Sequence, residues 1–200
     1  DLKTVRDLVP NDIKVIAKIE LKAALDNIAE ILDVADGVMV ARGDLGVQLP
    51  LEQVPFVQKQ ILDAANKKGK ISITATEMLQ SMKSSYRPTR AEVTDITNAI
   101  LEGSDAVMLS AETSIGDNPN RVVEVMSLIC KETDSKNDTS SLLSKENTSE
   151  DSTATLARAA VQVANEIQAK AIVAFTETGR TPLLISNFRP QAEIITFSTK

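Results

Sequence analysis

Four short apolar runs, Val15–Ile19, Gly37–Ala41, Ile71–Ala75 and Ala106–Leu109, constrain this chain most, because each is followed by a stretch with apolar residues at helical spacing. Ala24, Leu25, Ile28, Ile31 and Leu32 follow the first run, and Val54, Val57, Ile61 and Ala65 the second. Val93, Ile96 and Ile100 follow the third, and Val122, Met126, Ile129 and Cys130 the fourth. Short strands that are apolar throughout must be covered on both faces, so the pattern predicts βαβ units and a parallel sheet. Thr89 with Glu92 three residues on predicts a capping box at the start of the third helix. Gly69 and Gly103 stand where helices end in a left-handed cap.

The pattern is interrupted once. Ser135 to Thr153 holds six Ser, three Thr and only two adjacent leucines, which reads as a linker. The expected organisation is an α/β domain over 1–135, a linker over 136–152 and a second α/β domain beginning at 153. In that second part Leu156, Ala160, Val163 and Ile167 are expected to line one helix face. Ala171–Phe175 and Ile194–Phe197 are expected as strands, with a polar turn at Thr176–Thr181 and a helix at Pro182–Asn187 between them. The second α/β pattern stops unfinished and the chain opens at Asp1 without a methionine, so the sequence reads as a piece of something longer.

Composition removes several functions. The chain carries 22 Lys+Arg against 28 Asp+Glu, a net charge of −6 over 200 residues, which disfavours nucleic-acid binding. No apolar run approaches the roughly 18–20 residues that span a bilayer, so no membrane partner is expected. The one cysteine, Cys130, cannot form an internal disulfide, and with no signal-peptide pattern the expected location is cytoplasmic. With no histidine, acid–base chemistry falls to carboxylates, Lys, hydroxyls or bound water.

The polar residues of the strand runs gather at one end. The first run closes Ala17-Lys18-Ile19-Glu20, with Lys18 and Glu20 on one face by alternation. The second runs into Arg42-Gly43-Asp44, the third places Ser72, Thr74 and Thr76 on a common face, and the fourth ends Ser110-Ala111-Glu112. Parallel α/β folds bind ligands beyond the carboxyl ends of their strands. Glu20 and Asp44 are hard carboxylate donors suited to Mg²⁺, and Lys18 is a point charge suited to a phosphoryl group in transfer or an enolate. Gly43 is expected to allow close backbone approach, so that nearby amides hold a carboxylate or phosphate. Each feature also has a plainer reading as a surface ion pair, a turn or a hydrogen-bonded interior.

These stretches resemble the pyruvate kinase family. The resemblance is carried by Ala17-Lys18-Ile19-Glu20, by Val38-Met39-Val40-Ala41-Arg42-Gly43-Asp44-Leu45-Gly46 and by Ile73-Thr74-Ala75-Thr76-Glu77-Met78-Leu79-Gln80-Ser81-Met82. Arg87-Pro88-Thr89-Arg90-Ala91-Glu92 and Met108-Leu109-Ser110-Ala111-Glu112-Thr113 follow in family order, and the likeness continues to Lys200. It implies half of a (β/α)₈ TIM barrel, strands five to eight, followed by the start of the family's C-terminal α/β domain. It implies phosphoryl transfer from phosphoenolpyruvate to ADP, giving pyruvate and ATP in glycolysis. Lys18 then stabilises the transferring group, and Glu20 and Asp44 hold Mg²⁺ or Mn²⁺. Ala41, Gly43 and Thr76 cradle the substrate carboxylate, with Thr76 also catalytic and Ser110 and Glu112 in support. The resemblance further implies K⁺, with ligands outside this chain, a homotetramer at full length, and a phosphorylated-sugar effector at Thr176, Thr178, Gly179, Arg180 and Thr181. The isolated chain is expected to be inactive. The alternatives are another Mg²⁺-dependent phosphoenolpyruvate or pyruvate barrel enzyme, or a non-catalytic effector-binding or assembly fragment.

Overall fold

The computed structural model describes residues 1–10, 12–136 and 152–199, in two compact units, Asp1–Asn137 and Asp138–Lys200. In the first unit α1 (Leu2–Leu8) precedes β1 (Ile16–Ile19), α2 (Lys22–Asp26), α3 (Ile28–Val34) and β2 (Gly37–Ala41). Then come α4 (Arg42–Gln48), α5 (Val54–Lys67), β3 (Ile71–Ala75), α6 (Arg90–Leu101), β4 (Ala106–Met108), α7 (Ala111–Ser114) and α8 (Pro119–Lys136). The strands lie side by side in chain order, all parallel. Ile19 faces Val40, Ala41 faces Ala75 and Ala75 faces Met108, so the carboxyl ends form one rim.

One face of this sheet is covered. Ala17, Ile19, Val38 and Val40 pack against Leu32, Leu45, Ile61 and Leu62. Further along, Met78, Leu79 and Met82 join Ile96, Val122 and Met126. Each fully buried Leu or Ile contributes about 1.5–3 kcal/mol relative to exposure. The opposite face, with Lys18 and Ile71, is exposed.

Local signals explain the helix boundaries. Thr89 and Glu92 form the expected capping box. Gly69 (φ 61°) and Gly103 (φ 105°) end α5 and α6 as expected, with Lys70 and Ser104 donating back to Ala65 and Ala99. The stretch after β1, expected to carry one helical repeat, is two helices. Asn27 breaks it with φ −115° and ψ 19°, and its side chain donates to the Ala23 carbonyl at 2.8 Å. Gly37 is required by space, since a Cβ there would lie 2.6 Å from the Ile71 carbonyl oxygen.

The polar face expected on β3 is corrected by the structure. Ser72 and Thr74 are fully buried on the covered side of the sheet. The Ser72 hydroxyl lies 3.0 Å from Asp105 Oδ2, and Thr74 Oγ1 lies 2.9 Å from Ser104 Oγ. Buried hydroxyls need partners, and the loop before β4 supplies them, tying β4 to β3. Thr76 does not share their face, because β3 ends at Ala75 and Thr76 turns left-handed at φ 72°.

In the second unit α9 (Ser152–Glu166) precedes β5 (Ala171–Phe175), α10 (Arg180–Ser186) and β6 (Glu193–Phe197), and the two strands are parallel. Ala157, Val161, Ala174 and Ile185 form its core. The expected helix face is wrong here. Leu156, Val163 and Ile167 are exposed, while Ala154, Ala157, Val161 and Ala164 are buried. The helix carries two apolar stripes, and the alanine-rich one, with its small side chains, is the one that packs. Most of the expected linker lies outside the described residues, and α8 and α9 extend into its two ends through Lys136 and from Ser152.

Glu92 does more than cap. Burial pushes its carboxyl pKa up, but hydrogen bonds from the Ser81 hydroxyl and amide and from Thr89 outweigh that and hold it below its ordinary 4.5. A depressed carboxyl adds stability above its unfolded-state value and loses it as pH falls through the folded one. Acid titration followed by circular dichroism should therefore show stability falling below about pH 4.5. Glu92→Gln should flatten that part of the slope, and Thr89→Ala should cost about 1 kcal/mol at neutral pH. An unchanged acid slope in Glu92→Gln would remove this role.

Candidate active site

Lys18, Glu20 and Asp44 meet at the carboxyl-terminal rim of β1 and β2. Alternation buries Ala17 and Ile19 and leaves Lys18 on the exposed face, with Glu20 just past the strand end. Asp44 stands in the first turn of α4, which starts directly after β2. The Lys18 ammonium donates to Asp44 Oδ2 at 3.0 Å and also pairs with Glu20 Oε1. Two oxygens sharing one nitrogen lie within about two hydrogen-bond lengths of each other, roughly 6 Å. Glu20 first and Asp44 second hold the Lys18 pKa above 10.5, so the ammonium is charged at neutral pH. The three side chains are 50%, 37% and 52% exposed, so water screens the attraction and the cluster adds little stability.

The donor set fits a Mg²⁺ ion. Mg²⁺ takes one or two carboxylates and fills the rest of its shell with water and substrate oxygens. Glu20 and Asp44 supply that pair, converging on a point where a cation, the Lys18 ammonium, already sits. Among the described residues no group of three acidic, His or Cys side chains gathers to hold a metal by itself.

Beside this cluster the ends of β2 and β3 are joined. The Gly43 amide donates to Thr76 Oγ1 at 2.9 Å. A Cβ on Gly43 would meet that oxygen at 3.5 Å, an ordinary contact, so the approach to Thr76 does not by itself demand glycine. Its amide is what the rim uses. Ala41, fully buried, ends β2 against Ala75. Thr76 and Glu77 both hold left-handed backbones, φ 72° and 55°, a conformation costing about 1–3 kcal/mol for each such residue. Arg42 bridges this turn, with Nη2 and Nε donating to the Thr76 carbonyl at 2.6 and 3.2 Å. Its Nη1 donates to both oxygens of Asp95 at 2.7 and 2.6 Å.

The comparisons with known proteins decide the family. Residues 1–123 match the family model described as pyruvate kinase, barrel domain, and residues 154–200 match pyruvate kinase, alpha/beta domain. The chain belongs to the pyruvate kinase family. It is 44% identical to a pyruvate kinase of Clostridium perfringens over 98% of this chain and 43% of the relative. It is 43% identical to one of Dictyostelium discoideum, covering 98% of this chain and 40% of the relative. A crystal structure of a pyruvate kinase from Cryptosporidium parvum superposes with a TM-score of 0.90 at 40% identity, covering 100% of this chain and 43% of that one. The chain thus spans about two fifths of the length of these relatives. Its four-stranded unit belongs to the family's barrel domain and its second unit to the C-terminal α/β domain.

Other residues singled out from the sequence have partners of their own. Glu112 is fully buried and accepts from the Ser110 amide at 3.0 Å and the Leu79 amide at 3.3 Å. It fastens the end of β4 to the loop after β3. At the expected effector loop, Gly179 (φ 81°) donates its amide to Thr176 Oγ1 at 2.9 Å, closing the turn before α10 and its Arg180 and Thr181. Sequence reading placed Arg42 at the strand end but missed its pairing with Asp95, which lies 53 positions away and carries no spacing signal.

Proposed function

We propose that this chain is the segment of a pyruvate kinase that carries its phosphoryl-transfer centre, moving the phosphoryl group of phosphoenolpyruvate to ADP to give pyruvate and ATP. The observation that carries the reading is the Lys18 ammonium held between Glu20 and Asp44 at the rim of parallel strands. Transferring phosphoryl groups spread negative charge over their oxygens, and little covalent chemistry is left for the protein. Lys18 supplies positive charge at the rim, beside the carboxylates. Glu20 and Asp44 would hold Mg²⁺, which supplies charge neutralisation at the phosphoryl oxygens when bound. Gly43 and Thr76, joined across β2 and β3, hold the substrate carboxylate beside Ala41. Orientation of the two reactants then supplies much of the remaining barrier reduction.

The reading places the rest of the machinery outside this segment: K⁺ ligands, the remaining barrel strands and a homotetrameric assembly. For the second unit it places a phosphorylated sugar at Thr176, Thr178, Gly179, Arg180 and Thr181. The Thr176 hydroxyl and the left-handed Gly179 support a compact turn there. A cytoplasmic setting accords with the absence, among the described residues, of any helix long and apolar enough to cross a membrane.

Two measurements test the reading. In a chain of the relatives' full length that carries this segment, Lys18→Met should lower kcat by orders of magnitude and change the affinity for phosphoenolpyruvate far less. Charge stabilisation matters most in the transition state. Equal and small losses in both parameters would take Lys18 out of the reaction.

The second measurement concerns the 200 residues alone. Their four-stranded sheet leaves β1 and β4 each with one unpaired edge among the described residues. Its exposed face carries Ile71 at 46%. Exposed edges and an uncovered apolar face favour association over function. Purified chain given phosphoenolpyruvate, ADP, Mg²⁺ and K⁺ should form no pyruvate. A monomer working near the rate of the full-length relatives would overturn this.

A further inference from the structure

We infer that Arg42 is a positioning residue whose guanidinium, braced by Asp95, grips the Thr76 carbonyl and so aims the Thr76 hydroxyl at the rim. The inference rests on the phosphoryl-transfer reading above and adds residues to it. Four observations lead to it. First, Thr76 and Glu77 hold consecutive left-handed backbones without being glycine, a conformation that persists only when its surroundings over-determine it. Second, the determinant is visible: two Arg42 nitrogens, Nη2 and Nε, converge on the one Thr76 carbonyl at 2.6 and 3.2 Å. Third, the remaining arm of the fork is spent on both oxygens of Asp95, at 2.7 and 2.6 Å, and the Arg42 side chain is only 9% exposed. It is therefore built in and is not a free cation for substrate. Fourth, the residue after Arg42 donates its amide to the Thr76 hydroxyl at 2.9 Å, and the next one is Asp44. One dipeptide thus fixes Thr76 at both its carbonyl and its hydroxyl, directly upstream of the carboxylate that faces Lys18.

The chemistry explains why arginine stands there. A planar fork with five donors reaches a carbonyl and a carboxylate at once in fixed directions. A lysine keeps the charge but has a single ammonium, which cannot hold both partners in that geometry. Losing the grip lets the Thr76–Glu77 turn relax toward right-handed or extended backbone. The hydroxyl then swings off its line and the Gly43 amide loses its partner. Displacements of about 1 Å at a reacting centre cost on the order of a hundredfold in rate.

The test is a double-mutant cycle in a chain of the relatives' full length, with Arg42→Lys, Thr76→Ala and the pair, read by steady-state kinetics and hydrogen exchange. Arg42→Lys should lower kcat/KM for phosphoenolpyruvate about 10–100-fold, leave KM for ADP within about twofold, and speed amide exchange at Gly43 and over residues 76–79. In the Thr76→Ala background the same change should cost less than about threefold more, because coupled residues are not additive. If Arg42→Lys does not fold, Asp95→Asn takes its place in the cycle, with a smaller loss and the same coupling expected. Multiplicative losses, or equal losses for both substrates with unchanged exchange at 76–79, would overturn the inference while leaving the phosphoryl-transfer reading in place. A Thr76→Ala enzyme with unchanged kinetics would instead overturn the role given to Thr76, and this inference with it.

Discussion

The parallel register of four strands is the constraint on which the rest depends. Backbone pairing of Ile19 with Val40, Ala41 with Ala75 and Ala75 with Met108 brings four strand ends to one level. Residues just past those ends have left the ladder, and their side chains and amides are available for other work. A one-residue slip in β1 would turn Lys18 into the core and Ile19 out of it, since side chains alternate with period two. Burial of Ala17 and Ile19 against α3 and α5 is therefore what keeps the ammonium outside. Packing energy from one face of the sheet fixes the chemistry on the other.

On that rim two kinds of holding operate. Lys18, Glu20 and Asp44 are exposed and mutually attracted, an arrangement that water screens and that an incoming ion or substrate can rearrange at low cost. Arg42, Asp95 and the Thr76 backbone form a half-buried network with short, directional bonds, which do not rearrange cheaply. The first arrangement is held loosely and the second is held by direction as well as by charge.

The legibility of these parts in the sequence follows the same division. Strand extents are written in local patterns, so β2 and β3 run from Gly37 to Ala41 and from Ile71 to Ala75 as read. Lys18 and Glu20 were legible because alternation places them, and the Thr89–Glu92 box because it spans three residues. The partnerships of Arg42 with Asp95, Ser72 with Asp105 and Arg6 with Asp36 were not, since each links residues 30 or more positions apart. Hydroxyls on β3 were misplaced for a related reason. Alternation says that Ser72 and Thr74 share a face, but only the position of Ser104 and Asp105 says which face that is. In α9 the larger residues Leu156 and Ile167 marked one stripe and the alanines another, and periodicity cannot choose between two apolar stripes.

The strained turn shows how a local rule yields to a functional one. Glycine at 76 or 77 would adopt φ 72° or 55° without penalty, so on backbone grounds alone these positions favour it. Glycine at 76, however, has no hydroxyl to receive the Gly43 amide, and it would widen the unfolded ensemble and loosen the folded turn. Threonine supplies the oxygen at the cost of backbone strain. The guanidinium of Arg42, held against Asp95, offsets that strain with hydrogen bonds from a charged donor, which are stronger than neutral ones. The grip is remote in sequence and adjacent in space because Arg42 opens α4 directly after β2, the strand that pairs with β3. Strand order alone therefore puts the brace next to the turn that needs it.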